Sequence, residues 1–232
     1  MLLAFSTTAD HEVMISELMK CSLLDVFKAN SVQNVQLSKR TQTSYANQLA
    51  KGMNYLHTCK PPIIHRDLKP ANLLIDYAGT LKITDFGLAK VRPDPNRSTE
   101  QDQFLMTGET GSYRFMAPEV FRHEQYTETV DTYSFAMILY YIFSGTPPWP
   151  FLSGLDAVIT AALDGSRPDI PRAWDIRMSY MLRMCWDENP QGRPSFGTIL
   201  EIIREYSENV FGTDGNSVTL ETEKPTKCCS IM

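Results

Sequence analysis

The sequence lacks any long apolar run. In its 232 residues, the longest such run lies around 133–143 and falls far short of the roughly 18–20 residues that a membrane-spanning helix needs. The first residues, MLLAF, are apolar but carry no basic residue, and Asp10 follows closely, which is not the pattern of a signal peptide. These absences predict a cytoplasmic protein.

Cysteine and positive charge are also scarce. The five cysteines form neither a paired C-x-x-C zinc pattern nor a convincing disulfide framework. Lysine and arginine number 22 against 27 acidic residues, so the net charge of −5 argues against nucleic acid as a partner. Hydrophobic residues make up 43% of the chain, which is typical of a globular domain.

The pattern of apolar residues changes along the chain. Two apolar stretches around a turn, LLAFS and EVMISELM, predict two strands within residues 1–19. The other predicted elements are, in order, helices at about 22–30 and 38–57, a hairpin of strands 73–75 and 81–83, a long loop over 91–112, and helices at 130–143, 179–186 and 195–210. Strands followed by helices alone predict an α+β fold dominated by helix.

The strongest chemical signal is the segment HRDLKPAN at residues 65–72. It resembles the catalytic loop HRDLKPxN of the protein kinase family. By this resemblance Asp67 accepts the proton of the substrate hydroxyl, and Lys69 brings positive charge to the transferring phosphate. Asn72 offers a neutral oxygen to Mg²⁺. His65 is expected to be a structural residue that packs beneath the metal-binding segment.

A second segment, Asp85-Phe86-Gly87, follows the predicted strand 81–83. It resembles the DFG segment of kinases, which lies after the same hairpin. The resemblance implies that Asp85 is the principal Mg²⁺ ligand and bridges the phosphates of ATP. Phe86 is expected to pack inward, and Gly87 to permit backbone movement.

A third segment, Ala117-Pro118-Glu119, resembles the APE that closes the activation segment of kinases. Ser112 then takes the place of a hydroxyl residue that contacts the catalytic Asp and Lys, which is a structural role. Arg66 indicates control by phosphorylation, because a phosphate on Thr107 or Thr110 could pair with its guanidinium. The alternative is a solvated loop whose hydroxyl groups have no such role.

The resemblance extends to about residue 210. The segment DTYSF, from Asp131, resembles the start of the central buried helix, where the Asp braces the catalytic-loop backbone. CWDENP and RPSF resemble a signature of the C-lobe in which Arg193 pairs with Glu119. That signature is shared by tyrosine kinases and the tyrosine-kinase-like group, and Lys69 favours a tyrosine-kinase-like Ser/Thr kinase.

Other parts of a kinase are missing from the sequence. No GxGxxG precedes the catalytic loop, and the first lysine is Lys20. Residues 2–8 and 12–18 match the last two strands of the N-lobe. The segment from Glu17 to Met19 aligns with the hinge that meets adenine, and Leu74 with the floor of the adenine pocket. We therefore expect a truncated chain that retains half an ATP site, is inactive or nearly so, and is prone to aggregation.

The expected fold is α+β and protein-kinase-like, mainly the helical C-lobe with a two-strand remnant of the N-lobe. The expected bounds are 1–19 for the remnant strands and hinge, 20–211 for the C-lobe and 212–232 for a flexible tail. The expected function is a Ser/Thr protein kinase in signal transduction, with ATP and Mg²⁺ as cofactors and a protein as substrate. The alternative is a catalytically inactive, kinase-derived binding module.

The chain ends in Cys229-Ser230-Ile231-Met232, which fits the prenylation pattern C-a-a-X, with Met favouring farnesyl. Cys229 would carry the prenyl group, and Cys228 could be palmitoylated. A single prenyl chain gives only marginal membrane binding, so a second signal is needed. The protein is thus expected in the cytoplasm, with membrane association through a C-terminal lipid. A free polar tail is the alternative.

Overall fold

The computed structural model describes residues 2–7, 11–91 and 113–212. The candidate hydroxyl residues Ser112, Thr107 and Thr110 lie outside these ranges. So do Cys228 and Cys229, and with them the predicted lipidation signal.

The described strands form three small sheets. β1 (Leu2–Thr7) and β2 (Glu12–Ser16) make an antiparallel pair. The other strands are β3 (Cys21–Ser22), β4 (Ile63–Ile64), β5 (Leu73–Ile75), β6 (Leu81–Ile83) and β7 (Lys90–Val91). The second sheet has the order β3-β5-β6, and the third pairs β4 with β7.

Helices are the predominant regular structure of the described ranges. They are α1 (Leu23–Gln33), α2 (Lys39–Thr58), α3 (Pro118–Phe121), α4 (Thr129–Ser144), α5 (Gly154–Leu163), α6 (Ile176–Cys185) and α7 (Phe196–Phe211). From Tyr113 onward the described elements are helices and short 3₁₀ turns, as predicted, but the two-residue strands β3, β4 and β7 were not predicted. None of the helices in the described ranges is long and apolar enough to cross a membrane.

The boundaries of two helices follow from local capping chemistry. Ser38 is the N-cap of α2, as predicted, and its hydroxyl accepts the N–H of Thr41. α4 ends at Ser144, and its C-cap is Gly145, whose φ of 73° is the left-handed conformation that glycine adopts without a steric penalty. α4 is apolar on all sides, and most of its residues are buried, which makes it the centre of the core.

Three helices differ from the sequence-based expectation, and the first is the four-residue α3, which was not predicted. α5 was not predicted, although Ser153 accepts the N–H of Asp156 in an ordinary N-cap. α6 begins at Ile176, three residues earlier than expected, because Asp175 caps it by accepting the N–H groups of Arg177 and Met178. In both α5 and α6, the hydrogen bonds of a short polar N-cap side chain determine where the helix begins.

The sheet of β1 and β2 exposes apolar side chains on both faces. Phe5 and Met14 lie directly opposite each other, and they are 59% and 70% exposed. On the other face Val13 and Ile15 are about half exposed. In the described ranges this sheet has two strands only, so both of its edges are unpaired, as expected for two strands without further neighbours.

Candidate active site

The segment 65–72 is held in place by the buried carboxylate of Asp131, at the start of α4. Asp131 accepts the main-chain N–H groups of His65 at 2.8 Å and Arg66 at 2.9 Å. The Asp131 side chain is fully buried. Hydrogen bonds to an ionised acceptor are among the strong ones, so this carboxylate fixes the entry of the loop, as the resemblance implies.

His65 is enclosed and has the structural position expected of it. Its Nε2 lies 3.0 Å from the carbonyl of Thr84, directly before Asp85. A carbonyl can only accept, so Nε2 carries the proton. Its Nδ1 is buried with no hydrogen-bond partner among the described residues. With an exposure of 0%, His65 cannot reach a substrate and supports the neighbouring segment instead.

Arg66 links the catalytic loop to the segment that follows Gly87. Its φ is 68°, a left-handed conformation that costs a non-glycine residue about 1 kcal/mol or more. Its guanidinium donates to the carbonyl of Leu88 at 2.5 Å and to the hydroxyl of Tyr126 at 3.0 Å. The predicted partners on Thr107 and Thr110 lie outside the described residues, so that role of Arg66 stays a prediction.

Asp67, Lys69 and Asn72 meet in one cluster. The Nζ of Lys69 lies 2.9 Å from Oδ2 of Asp67. The Nδ2 of Asn72 donates to the same oxygen at 3.0 Å and to the carbonyl of Asp67 at 2.9 Å. Asp67 and Asn72 are only 8% and 6% exposed. The carboxylate is therefore fixed by two donors of the loop itself, in a position to accept a proton from an incoming hydroxyl.

Asp85 is brought beside this cluster by the hairpin of β5 and β6. The strands pair Leu73 with Ile83, and the ladder continues as Thr84 donates its N–H to the carbonyl of Asn72 at 3.0 Å. Asp85 has a φ of 63°, so the chain turns sharply at this residue. Its side chain is exposed, and Oδ1 accepts the N–H of Gly87 at 3.4 Å.

The residues present fit a magnesium ion. Asn72 uses its amide nitrogen on Asp67, so its Oδ1 is the atom that can meet a cation, and Asp85 adds a carboxylate. The described ranges contain no group of three or more His, Cys, Asp or Glu side chains that could hold a metal by themselves. Mg²⁺ in kinases is held by one or two protein oxygens together with phosphate oxygens, which matches this sparse donor set.

Phe86 packs inward only in part, which differs from the expectation. Its ring contacts that of His65, with centroids 5.2 Å apart, but 48% of the residue is exposed. The physical reason is that one face meets the catalytic loop, while no described element covers the other. A Cβ at Gly87 would lie 3.3 Å from Oδ1 of Asp85, so a side chain there would crowd the carboxylate.

The expected adenine-contacting residues lie on the central strand of the sheet β3-β5-β6 and on the segment that leads into its edge strand β3. Glu17 and Met19 belong to the irregular segment between β2 and β3. The N–H of Lys20 bonds to the carbonyl of Ile75 at 2.9 Å, which joins this segment to β5. Leu74 is half-buried between Leu73 and Ile75, whose side chains are in the core. Strand alternation therefore directs Leu74 away from the core, toward the hinge side.

Glu119 and Arg193 form a buried bidentate ion pair on the other side of the lobe. The guanidinium donates to both carboxylate oxygens, at 2.5 and 2.9 Å, and both side chains are almost completely buried. This is the pair that the resemblance implies. It joins the end of the activation segment to the stretch before α7, and so fixes geometry.

Three residues that support the site were not identified from the sequence. His57, in the last turn of α2, places Nε2 2.9 Å from Asp131. Tyr126 accepts from Arg66, and Lys82 contacts Glu17. The predicted hairpin could have indicated Lys82, because the turn between its strands places Lys82 opposite Leu74, the expected floor of the adenine pocket. Nothing in the local sequence marks His57 or Tyr126, because their partners are distant in the chain.

One edge of the helical lobe carries Asp67, Lys69, Asn72 and Asp85, which are the types of side chain that phosphoryl transfer requires. The sequence matches the family model of the protein kinase domain over residues 1–203. The chain therefore belongs to the protein kinase family, and the predicted fold class is confirmed.

Curated relatives agree with this assignment. Serine/threonine-protein kinase STY17 of Arabidopsis thaliana is 37% identical over 185 residues, which covers 80% of this chain and 29% of that protein. Serine/threonine-protein kinase VIK, also of Arabidopsis thaliana, is 41% identical over 177 residues, covering 75% of this chain and 40% of that protein. Dual specificity protein kinase splA of Dictyostelium discoideum is 30% identical, covering 86% of this chain and 8% of that protein. The chain thus spans less than half the length of these relatives, and the resemblance to tyrosine-kinase-like Ser/Thr kinases is confirmed.

Proposed function

We propose that this chain carries the catalytic site of a Ser/Thr protein kinase, which transfers the γ-phosphate of ATP to protein hydroxyl groups in signal transduction. The observation that carries this proposal is the cluster around Asp67. The carboxylate of Asp67 is buried. Its Oδ2 lies 2.9 Å from Nζ of Lys69 and accepts a hydrogen bond from Nδ2 of Asn72 at 3.0 Å. Such a preorganised cluster suits a reaction that depends on positioning and charge stabilisation.

Each of the three side chains has a separate task. Asp67 orients the substrate hydroxyl and accepts its proton as the oxygen attacks. Lys69 keeps a positive charge beside the transferring phosphate and also holds Asp67 in one rotamer. Asn72 closes the loop through two hydrogen bonds to Asp67 and turns its oxygen outward.

Asn72 and Asp85 would hold Mg²⁺ at the adjoining edge. When bound, the metal supplies charge neutralisation for the phosphates. Glu17 and Met19 would meet adenine through their main-chain groups, and Leu74 would support the base from below. The half-buried position of Leu74 beside the hinge segment supports this assignment.

The test is a phosphoryl-transfer assay with the purified 232-residue chain, labelled ATP, Mg²⁺ and a generic protein substrate. Replacing Asp67→Asn should lower any transfer by about 10²–10⁴-fold, the usual contribution of a general base. The exposed Lys51, on α2, provides the control Lys51→Met, which should leave transfer unchanged. Label on Ser or Thr supports the proposal, whereas label on Tyr alone would contradict it.

A second candidate function is a kinase-derived binding module without catalysis. It is favoured by the composition of β1 and β2, which contain no lysine that could neutralise nucleotide phosphates. It is also compatible with the exposed apolar faces of that sheet. If the wild-type chain transfers no phosphate although Mg²⁺-ATP binds, this second function takes precedence.

We further propose a cytoplasmic location with membrane association through Cys229. The support is the C-terminal pattern CSIM, with Cys228 as a second acylation position. Expression of the chain in eukaryotic cells and mass analysis of its C-terminal peptide test this proposal. A peptide that ends at an unmodified Met232 would contradict it, and Cys229→Ser is the matched control.

A further inference from the structure

Lys82 occupies a position between the hinge segment and the helical lobe. It lies on β6, directly opposite Leu74 on β5. Its Nζ is 2.6 Å from Oε2 of Glu17 and 3.2 Å from Oδ2 of Asp76. The lysine thus joins a carboxylate of the hinge to a carboxylate of the β5–β6 turn. All three side chains are partly shielded, with exposures of 35% for Lys82, 27% for Glu17 and 19% for Asp76.

The carboxylate of Asp76 is itself fixed by the turn. Its Oδ1 accepts the N–H groups of Ala78 and Thr80, both at 2.9 Å. This leaves Oδ2 directed at Lys82. The strand that carries Lys82 is also anchored, since the N–H of Leu81 donates to the side chain of Gln48 on α2. Lys82 therefore has a rigid base on the lobe, from which it reaches Glu17.

The hinge segment is consequently held at two points. At one end, the side chain of Glu17 is bound by Lys82. At the other, the N–H of Lys20 bonds to the carbonyl of Ile75. Between these anchors lie Leu18, which is 79% exposed, and Met19. The main chain of this short stretch is the part that the proposed function assigns to adenine.

We propose that Lys82 is a positioning residue for nucleotide binding, which orders the hinge before the adenine arrives. This inference rests on the proposed function, because it assumes that residues 17–19 meet the base. An ordered hinge lowers the entropic cost of binding without adding a contact to the ligand. A partly exposed ion pair has a modest effect, so removing it should weaken ATP binding by about 3–10-fold.

The test is calorimetric titration of the complete chain with Mg²⁺-ATP and, separately, with Mg²⁺-tripolyphosphate, which has no base. Lys82→Met should raise the Kd for ATP by about 3–10-fold and leave the Kd for tripolyphosphate unchanged. A general loosening of the lobe would weaken both probes equally, and that result would overturn the inference. Lys82→Arg should restore ATP affinity because the ion pair can re-form, and Lys51→Met is the control for loss of a lysine.

A second variant, Glu17→Gln, breaks the same pair from the hinge side. It should match Lys82→Met, and the double variant should bind ATP no more weakly than either single variant. Equal ATP affinity of the wild type and Glu17→Gln overturns the role of Lys82 but leaves the nucleotide site intact. If the wild-type chain binds tripolyphosphate and not ATP, the adenine site itself is refuted, and this inference with it.

Discussion

The carboxylate of Asp131 accepts the main-chain N–H of Arg66 at 2.9 Å, and Arg66 has a left-handed backbone with a φ of 68°. The hydrogen bond helps to explain the backbone conformation. A left-handed conformation is unfavourable for arginine, and it persists where surrounding contacts determine it. The second oxygen of Asp131 also accepts the N–H of His65 and contacts His57. This one carboxylate therefore organises the backbone that presents Asp67.

Replacing Asp131→Asn should destabilise the chain by about 2–4 kcal/mol, because an amide turns one NH₂ toward donors that need an acceptor. Urea unfolding of the wild type and variant measures the change. The exposed Asp164 offers the control Asp164→Asn, which should alter stability by less than about 0.5 kcal/mol. A loss below about 1 kcal/mol for Asp131→Asn would show that other contacts hold the catalytic loop.

Breaking the ion pair of Glu119 and Arg193 should have a larger effect. The variant Glu119→Gln leaves a buried guanidinium without its counter-charge, and such losses cost about 3–5 kcal/mol. The surface pair of the exposed Arg204 and the partly exposed Glu208 is the control, since Glu208→Gln should cost no more than about 0.5 kcal/mol. If both variants unfold at the same urea concentration, the buried pair has no special role in stability.

Tyr133→Phe should stabilise the chain. The Cζ atoms of Arg167 and Arg193 lie 5.3 and 5.1 Å from the centroid of the Tyr133 ring. The buried hydroxyl of Tyr133 has no hydrogen-bond partner among the described residues. Burial raises the pKa of this hydroxyl, so it stays neutral. Phenylalanine keeps both ring contacts and removes the unsatisfied group, for an expected gain of about 1 kcal/mol. Thermal and urea unfolding measure this gain in stability. Tyr180 is exposed, so the control Tyr180→Phe should leave stability unchanged. A loss of stability in Tyr133→Phe would indicate that the hydroxyl has a hydrogen-bond partner.

Asp76 should give the stability of the chain a dependence on acid pH. Burial raises the pKa of this carboxyl, but hydrogen bonds from Thr80, Lys82 and Ala78 outweigh that effect and hold the pKa below its ordinary 3.8. The unfolded chain therefore takes up the proton at a higher pH than the folded chain does. The stabilising contribution is complete above pH 3.8 and is lost as the pH falls through the lower folded-state pKa.

The measurement for Asp76 is urea unfolding at several pH values on both sides of 3.8. In Asp76→Asn the acid decline in stability should be shallower than in the wild type, while Asp164→Asn should follow the wild type. Parallel curves for Asp76→Asn and the wild type would contradict the predicted effect of the turn carboxylate.

Local patterns predicted a good part of the fold. The hairpin of 73–75 and 81–83 has the bounds expected from its turn, and Ser38 caps α2 as expected. These features depend on hydrogen bonds between residues a few positions apart, so the local residue types are enough to predict them. α5 was not predicted, although its buried residues, from Gly154 to Ala162, recur at helical spacing. Most of them are small, so the apolar face is weak in the sequence, and this helix packs against the 3₁₀ turn 113–115 and α3.

By itself the sequence determined the candidates for the proposed chemistry, because Asp67, Lys69 and Asn72 lie in one contiguous segment and Asp85 follows one hairpin later. The resemblance also implied that Asp131 braces this segment and that Arg193 pairs with Glu119. Only the tertiary structure decided the contacts of His57 with Asp131, Tyr126 with Arg66 and Lys82 with Glu17, which are 74, 60 and 65 residues apart. Contacts over such distances form only when helices and sheets pack, since burial in the shared core is what brings their partners within hydrogen-bonding distance.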